Sequence, residues 1–479
     1  MVRFRTEPAY EYVDVDLEQQ PTESSSRWDA DLTTRFSRRV TLRLPFVSAA
    51  MDTVTRSSLA IAMAECGGLG VLDRALPARE QAEEVENVKR ATHFVIEQPY
   101  MLTLKNCVSH GLELIEKHGV GGIIIVDDLR SRKVVGVVSR RDLSGENSDR
   151  PLREIMNAAG TKQLVVAPVG TSRDEASAIL HENRIEKLPL VDDAGHLRGV
   201  ITEKDIAQAK RFPHATRDAS GRLAVGAAIG VKRSSDWRER AEALVDAGTD
   251  VLVIDVAHGG QDWVLEATKI LKVAHPNTDI VVGNVMTAEL TKRLIAAGAD
   301  GVKVGIAPGY ACRTRMVTGV GGGQLTVVLE CAEAALEFDV PICADGGIRE
   351  HGDIGKALAA GAATVMMGAK FAGTKEAPGD EFSDPETGHA YKWFRGMASS
   401  SASVKLHSFG DRGEEVQGII HAVTPEGADN LKIPLRGSVR DVLRQMELSL
   451  RATMSYIGAR TVTEMPQKAV FRAKARSGA

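Results

Sequence analysis

The residues best equipped for chemistry fall in one stretch, Gly305-Ile306-Ala307-Pro308-Gly309-Tyr310-Ala311-Cys312-Arg313-Thr314-Arg315. A Gly/Pro-rich connection lets a thiol and backbone N–H groups approach a ligand closely, since glycine carries no side chain to obstruct it. Flanking cations favour thiolate over thiol, so Arg313 and Arg315 are expected to prepare Cys312 as a nucleophile. The competing reading is an inert small residue in a loop, as most cysteines are. Two later turns, Asp345-Gly346-Gly347 and Met367-Gly368-Ala369, present backbone N–H groups ahead of helical patterns and suit a phosphate. Asp345 beside them could hold ribose hydroxyls, although each glycine is also explained by a tight turn. Glu426 stands between a proline and a glycine in a long polar loop, Ser408 to Gly427. In a lid that closes over Cys312 it would carry protons; read alone it is a solvated surface charge.

These residues need elements to hold them, and the spacing supplies strands. Asp250 to Ile254 ends at Asp255, Asp279 to Val282 at Gly283-Asn284, and Gly301 to Val304 at Gly305. Val340 to Ala344 ends at Asp345, and Ala363 to Met367 at Gly368. Three of the helices between them close in Ala-Gly caps, at Ala247-Gly248, Ala297-Gly298-Ala299 and Ala360-Gly361-Ala362. Leu44 to Val54 and Gly67 to Leu72 read as earlier strands, each followed by a helical pattern, Ser57 to Glu65 and Arg79 to Arg90. Five similar units, plus two or three before residue 96, predict an α/β fold, a TIM (β/α)8 barrel. All strand ends then open on one face, so Asp255, Asn284, Cys312, Asp345 and Gly368 should share a mouth. Residues 1 to about 40 are polar and read as an irregular extension.

An internal repeat interrupts the alternation and sets the expected domains: 1–95 as the first part of the barrel, 96–212 as an insertion, and 213–479 as the remainder. Gly122 to Asp128 followed by Val134 to Leu143 recurs as Lys187 to Asp193 followed by Leu197 to Ile206. Each copy, about 96–152 and about 153–212, reads as strand, turn, strand, polar cap and helix, after an amphipathic helix (Val108 to His118; Ser172 to Asn183). This resembles the paired cystathionine-β-synthase (CBS, Bateman) module, which binds adenine or guanine nucleotides between its units. The resemblance maps the ribose-holding aspartates onto Asp142 and Asp205; both also read as helix caps beside Ser139 and Thr202.

Composition narrows the class further. At 479 residues, 43% hydrophobic and net charge −4, the chain can bury a large core in two or three domains, and its balanced charges offer no nucleic-acid surface. The five cysteines are odd in number and widely spaced, against a disulfide framework or a zinc site. No stretch reads as a signal peptide or a membrane span, so a cytoplasmic enzyme without a membrane partner is expected.

Several segments together carry a family resemblance. Ser48-Ala49-Ala50-Met51-Asp52-Thr53-Val54, Asp255-Val256-Ala257-His258-Gly259, Gly283-Asn284-Val285, the Cys312 loop, Ala344 to Arg349, Phe371 to Gly379, Arg395-Gly396-Met397 and Ser455 to Ala459 make the chain similar to the inosine monophosphate (IMP) dehydrogenase and guanosine monophosphate (GMP) reductase family. The resemblance implies that Cys312 attacks carbon 2 of a purine nucleotide while a hydride passes between that carbon and a nicotinamide. It assigns the substrate, GMP or IMP, to Tyr310, Asp345, Gly346, Gly347, Gly368, Ala369, Arg395, Gly396, Met397 and Ala398. The cofactor falls to Asp255, Val256, Ala257, Asn284, Gly305, Ile306 and Ala307. A potassium ion would sit on the backbone carbonyls of Ala307, Gly309 and Cys312, and the family's usual assembly is a homotetramer or octamer.

Within that family, dehydrogenases activate water with an Arg-Tyr pair on a mobile flap, whereas reductases handle protons with a Thr and a Glu. Thr314 and Glu426 match the latter, while Arg412 is followed by Gly413 and supplies no phenol. The expectation is therefore a CBS-containing, NADPH-dependent GMP reductase. The alternatives are an NAD-dependent IMP dehydrogenase and a catalytically decayed nucleotide sensor. The last is motivated by two departures from the family pattern, Tyr310 for Ser and Ala369 for Ser or Gly; Phe394 for Tyr and Ala307 for Gly depart from it as well.

Overall fold

A computed structural model describes residues 5–91, 95–96, 99–158, 164–231, 237–408 and 424–475. The chain divides into two compact units, residues 1–91 with 214–479, and residues 92–213. The larger unit is a closed ring of eight parallel strands: β1 (Phe46–Ser48), β2 (Leu69–Leu72), β3 (Gly226–Ile229), β4 (Val251–Asp255), β5 (Asp279–Val285), β6 (Gly301–Val304), β7 (Ile342–Asp345) and β8 (Thr364–Met367). β8 pairs with β1 and β2 with β3, so no edge is left to be covered. Two strands precede residues 92–213 and six follow, because Gly226–Ile229 completes the five later units recognised from their strand ends.

Most strands are buried on both faces, as near-continuous Val, Ile, Leu and Ala demand. A helix covers each strand, from Ser57–Glu65 after β1 to Val439–Ile457 on the return from β8. The latter buries Val439, Val442, Leu443, Met446, Leu450, Met454 and Ile457 at helical spacing, starts on the Ser438 hydroxyl and ends on Gly458 at φ 71°. Gly248, Gly298 and Gly361 likewise take left-handed φ at helix ends. Among the described residues no helix is long and apolar enough to cross a membrane.

The amino-terminal segment is not the irregular extension its polarity suggests. Val15–Leu17 pairs with Phe471–Ala473, and Tyr12, Leu32, Phe36 and Leu42 are each buried to 2% exposure or less. Its apolar residues are too sparse for a periodic signal, yet each fills a gap between barrel elements.

The smaller unit repeats one arrangement. Gly122–Val126 lies between Met101–Thr103, parallel, and Val134–Ser139, antiparallel. Lys187–Val191 lies likewise between Ala167–Pro168 and Leu197–Thr202. The antiparallel register shifts at Ile125/Val126 in the first half and at Leu190/Val191 in the second. The helices Val108–His118 and Arg173–Asn183 match in place and length.

Candidate active site

A cleft of about 230 Å³ opens at the carboxyl ends of the barrel strands. Its walls come from the turn after β1, the Cys312 loop after β6, the turns after β7 and β8, and the segments around 396–398 and 426–427. The cysteine loop is pinned rather than loose. Cys312 N–H donates to the Gly309 carbonyl at 3.1 Å, Arg313 N–H to that of Glu426 at 2.6 Å, and Ala428 N–H to that of Ala311 at 2.8 Å. Glu426 and Gly427 N–H in turn donate to the Ala398 carbonyl at 3.1 and 3.0 Å. Three chain segments thus hold one another by backbone hydrogen bonds, and Cys312 faces the cleft from their junction.

The Cys312 thiol lies 3.3 Å from the Thr314 hydroxyl. Thr314 opens the short helix Thr314–Thr318, which explains why two residues two positions apart in sequence come into contact. Arg315 does not attend the thiol. Its guanidinium reaches Glu11 at 2.7 Å and the Gly322 carbonyl at 2.6 Å, so the activation expected from that residue is not built.

The strongest charge arrangement in the cleft centres on Lys303, only 2% exposed. Its ammonium meets Asp345 at 2.6 Å and Asp255 at 2.8 Å, and also donates to the Asn284 carbonyl oxygen. Burial alone would lower the lysine pKa; the Asp255 and Asp345 carboxylates outweigh it and hold the group above its ordinary value. Asn284 donates onward to the Gly305 carbonyl at 2.7 Å and to Asp345 at 3.0 Å. Gly305 is the one residue type that fits there: φ is 139°, and an added Cβ would stand 2.4 Å from the Asp345 carbonyl.

Of the residues singled out from sequence, Cys312, Glu426, Tyr310, Asp345, Gly346, Gly347, Gly368, Ala369, Gly396, Met397 and Ala398 all line this cleft, as does Asp255. Arg395 does not; its guanidinium grips buried Asp52 and donates to Ser401 at 2.9 Å. Burial opposes ionisation of Asp52, yet Arg395 and Lys405 outweigh it and keep that carboxyl below the usual range. Val256, Asn284, Gly305, Ile306 and Ala307 sit on neighbouring strand ends outside the cleft wall, with Ala307 in the left-handed region at φ 68°. Residues 409–423, including Arg412, lie outside the described residues. In the smaller unit the Asp142 carboxylate accepts from Ser139 N–H and hydroxyl, both at 2.7 Å, as a helix cap. Asp205 falls on the helix Glu203–Arg211.

Sequence reasoning overlooked Lys303, Lys370 and Met51, which also line the cleft. A signal for the first was present: one lysine amid Val302 and Val304 on a strand buried on both faces needs a carboxylate partner.

Comparison with known proteins agrees with this geometry. Residues 9–479 match the family model described as the IMP dehydrogenase / GMP reductase domain. Inosine-5'-monophosphate dehydrogenase of Nitrosopumilus maritimus is 42% identical, over 97% of this chain and 95% of that one. The Aquifex aeolicus protein of the same name is 45% identical over 92% and 88%. Among solved structures, a Cys-to-Ala variant of GMP reductase from Trypanosoma brucei with guanosine 5'-monophosphate superposes with a TM-score of 0.87 at 35% identity, covering 98% of this chain and 96% of that one. The same enzyme with guanosine 5'-triphosphate gives 0.78 at 33% identity, over 98% of each chain. The chain belongs to the IMP dehydrogenase / GMP reductase family, an oxidoreductase family built on a (β/α)8 barrel.

Proposed function

We propose that this protein is a GMP reductase, converting GMP to IMP and ammonia with NADPH. The observation that carries the reading is the Cys312–Thr314 contact at 3.3 Å, with Glu426 on the wall of the same cleft. The Cys312 sulfur adds to carbon 2 of the guanine. The exocyclic nitrogen takes protons by way of Thr314 and Glu426 and leaves as ammonia. The sulfur-bound carbon then accepts a hydride as the sulfur departs, giving IMP. The reduced nicotinamide supplies that hydride. Asp255 presents a carboxylate for cofactor at the cleft, and the Lys303 ammonium, 2.8 Å away, holds it in place.

A second reading, IMP dehydrogenase, is favoured by the names of the curated relatives at 42% and 45% identity. Against it stands the missing Arg-Tyr pair: Gly413 follows Arg412, so no phenol helps to activate water there. Incubation with GMP and NADPH is expected to consume the reduced cofactor, with no turnover of IMP and NAD; turnover of IMP and NAD alone would assign the dehydrogenase. Failure with both pairs would leave the nucleotide-sensing reading.

The loop carbonyls also fit a potassium ion. In the Ala307, Gly309 and Cys312 set, the Gly309 carbonyl accepts one hydrogen bond, from Cys312 N–H, and a carbonyl retains a second lone pair. The assay should therefore run faster in potassium than in lithium salts, and equal rates would dismiss the ion.

The smaller unit is, in the same proposal, a paired CBS module that takes an adenine or guanine nucleotide through Asp142 and Asp205. Millimolar ATP or GTP is expected to change the reductase rate or the sedimentation of the homo-oligomer. Identical kinetics and sedimentation with and without both nucleotides would reject that role.

A further inference from the structure

Two lysines line the cleft, and they are not equivalent. Lys303 is consumed by Asp255 and Asp345. Lys370 directly follows the Gly368-Ala369 turn, and its ammonium donates to the Arg349 carbonyl beside the Gly346-Gly347 turn. An ammonium has three N–H groups, so two remain. Among the described residues no carboxylate stands within ion-pair distance of it. The acidic groups nearby are Glu350 and Asp353, and Asp353 is already engaged by the backbone N–H groups of Arg349 at 3.0 Å and Glu350 at 2.8 Å.

The surroundings are short of negative charge. Burial and then Arg436 push Lys370 below its ordinary pKa, and burial and then Lys370 do the same to His351. A half-buried cation that is destabilised in this way gains from an incoming anion. The cleft has few other donors to offer one. No serine or threonine lines it among the described residues, Ala369 brings no hydroxyl, and Tyr310 is 66% exposed with its ring tilted against Phe394 at 6.4 Å.

We propose that Lys370 is the side chain that holds the phosphate of the substrate nucleotide, with the glycine amides of the two flanking turns completing the cradle. The proposal rests on the purine-nucleotide reading above and adds the residue that secures the charged end of the substrate. A phosphate between the 346–347 and 368–369 turns takes one charged hydrogen bond from Lys370, and charged hydrogen bonds are about twice as strong as neutral ones.

The test is calorimetric titration of the full-length protein with GMP, IMP and the phosphate-free nucleoside guanosine. Lys370→Met is expected to weaken GMP and IMP about 10- to 100-fold, to leave guanosine within about twofold, and to be largely repaired in Lys370→Arg. Retained guanosine binding shows that the cleft is folded, and Lys370→Gln is the second neutral variant should Met fold poorly. Wild-type affinity for GMP in the neutral variants, or an equal loss towards guanosine, would overturn the role of Lys370 alone. A wild-type protein that binds neither GMP nor IMP would overturn the purine-nucleotide reading, and this inference with it.

Discussion

Replacing Cys312 by alanine is expected to lower turnover at least about 1,000-fold while leaving nucleotide binding measurable, because in the proposed reaction its sulfur forms the bond to the substrate. Among the described residues Cys312 is the only cysteine on the cleft wall. The thiols of half-buried Cys66 and buried Cys331 are pushed up to about 11 and that of buried Cys343 to about 12, all by burial first, so they stay protonated at neutral pH. None of them can substitute. The measurement is steady-state kcat beside calorimetric affinity for GMP in the same preparation. Residual turnover within tenfold of wild type would rule out a covalent sulfur adduct. Thr314→Val, which removes the hydroxyl 3.3 Å from the sulfur while keeping the shape, should slow the same step less severely.

The second large effect concerns stability. Lys303→Met removes the cation between Asp255 and Asp345 and leaves both carboxylates without the ammonium that bridges them. Breaking a buried ion pair costs about 3–5 kcal/mol; here the carboxylates keep 27% and 21% of their side-chain surface, so the expected loss is about 3 kcal/mol. The sign with pH follows from the raised lysine pKa. The contribution is fully present below the unfolded value of 10.5 and is lost only as pH rises through the higher folded value. The deficit of the variant should therefore be constant from pH 6 to about 9. Urea unfolding at several pH values measures it through the midpoint at unchanged m, and a loss below about 1 kcal/mol would show that the network does not hold the barrel mouth together.

How much of this could be read along the chain depends on the range of the interaction. The strand ends at Asp255, Gly305, Asp345 and Gly368 announce themselves, because a buried strand followed by a glycine or polar turn is a local pattern. Cys312 stood out for the same reason, and the Ser139/Asp142 cap needs only three residues. Arg315 misled, since proximity in sequence to Cys312 does not set where a guanidinium goes; Glu11, 304 residues earlier, claims it. The polar amino terminus misled likewise, because Tyr12 and Phe36 are buried by contacts that have no periodic trace.

Sequence alone therefore determined the barrel and the repeat within the chain, each written in short-range spacing of apolar, glycine and polar residues, and it offered Cys312 as the candidate nucleophile. The folded chain decided the pairing of charges: Lys303 with Asp345 across 42 residues, Arg395 with Asp52 across 343, and Lys370 on the Arg349 carbonyl with no carboxylate partner among the described residues. The reason is physical. Apolar periodicity reports burial one element at a time, whereas the partner of a buried charge is set by which strand ends closure of the barrel brings within a few ångströms.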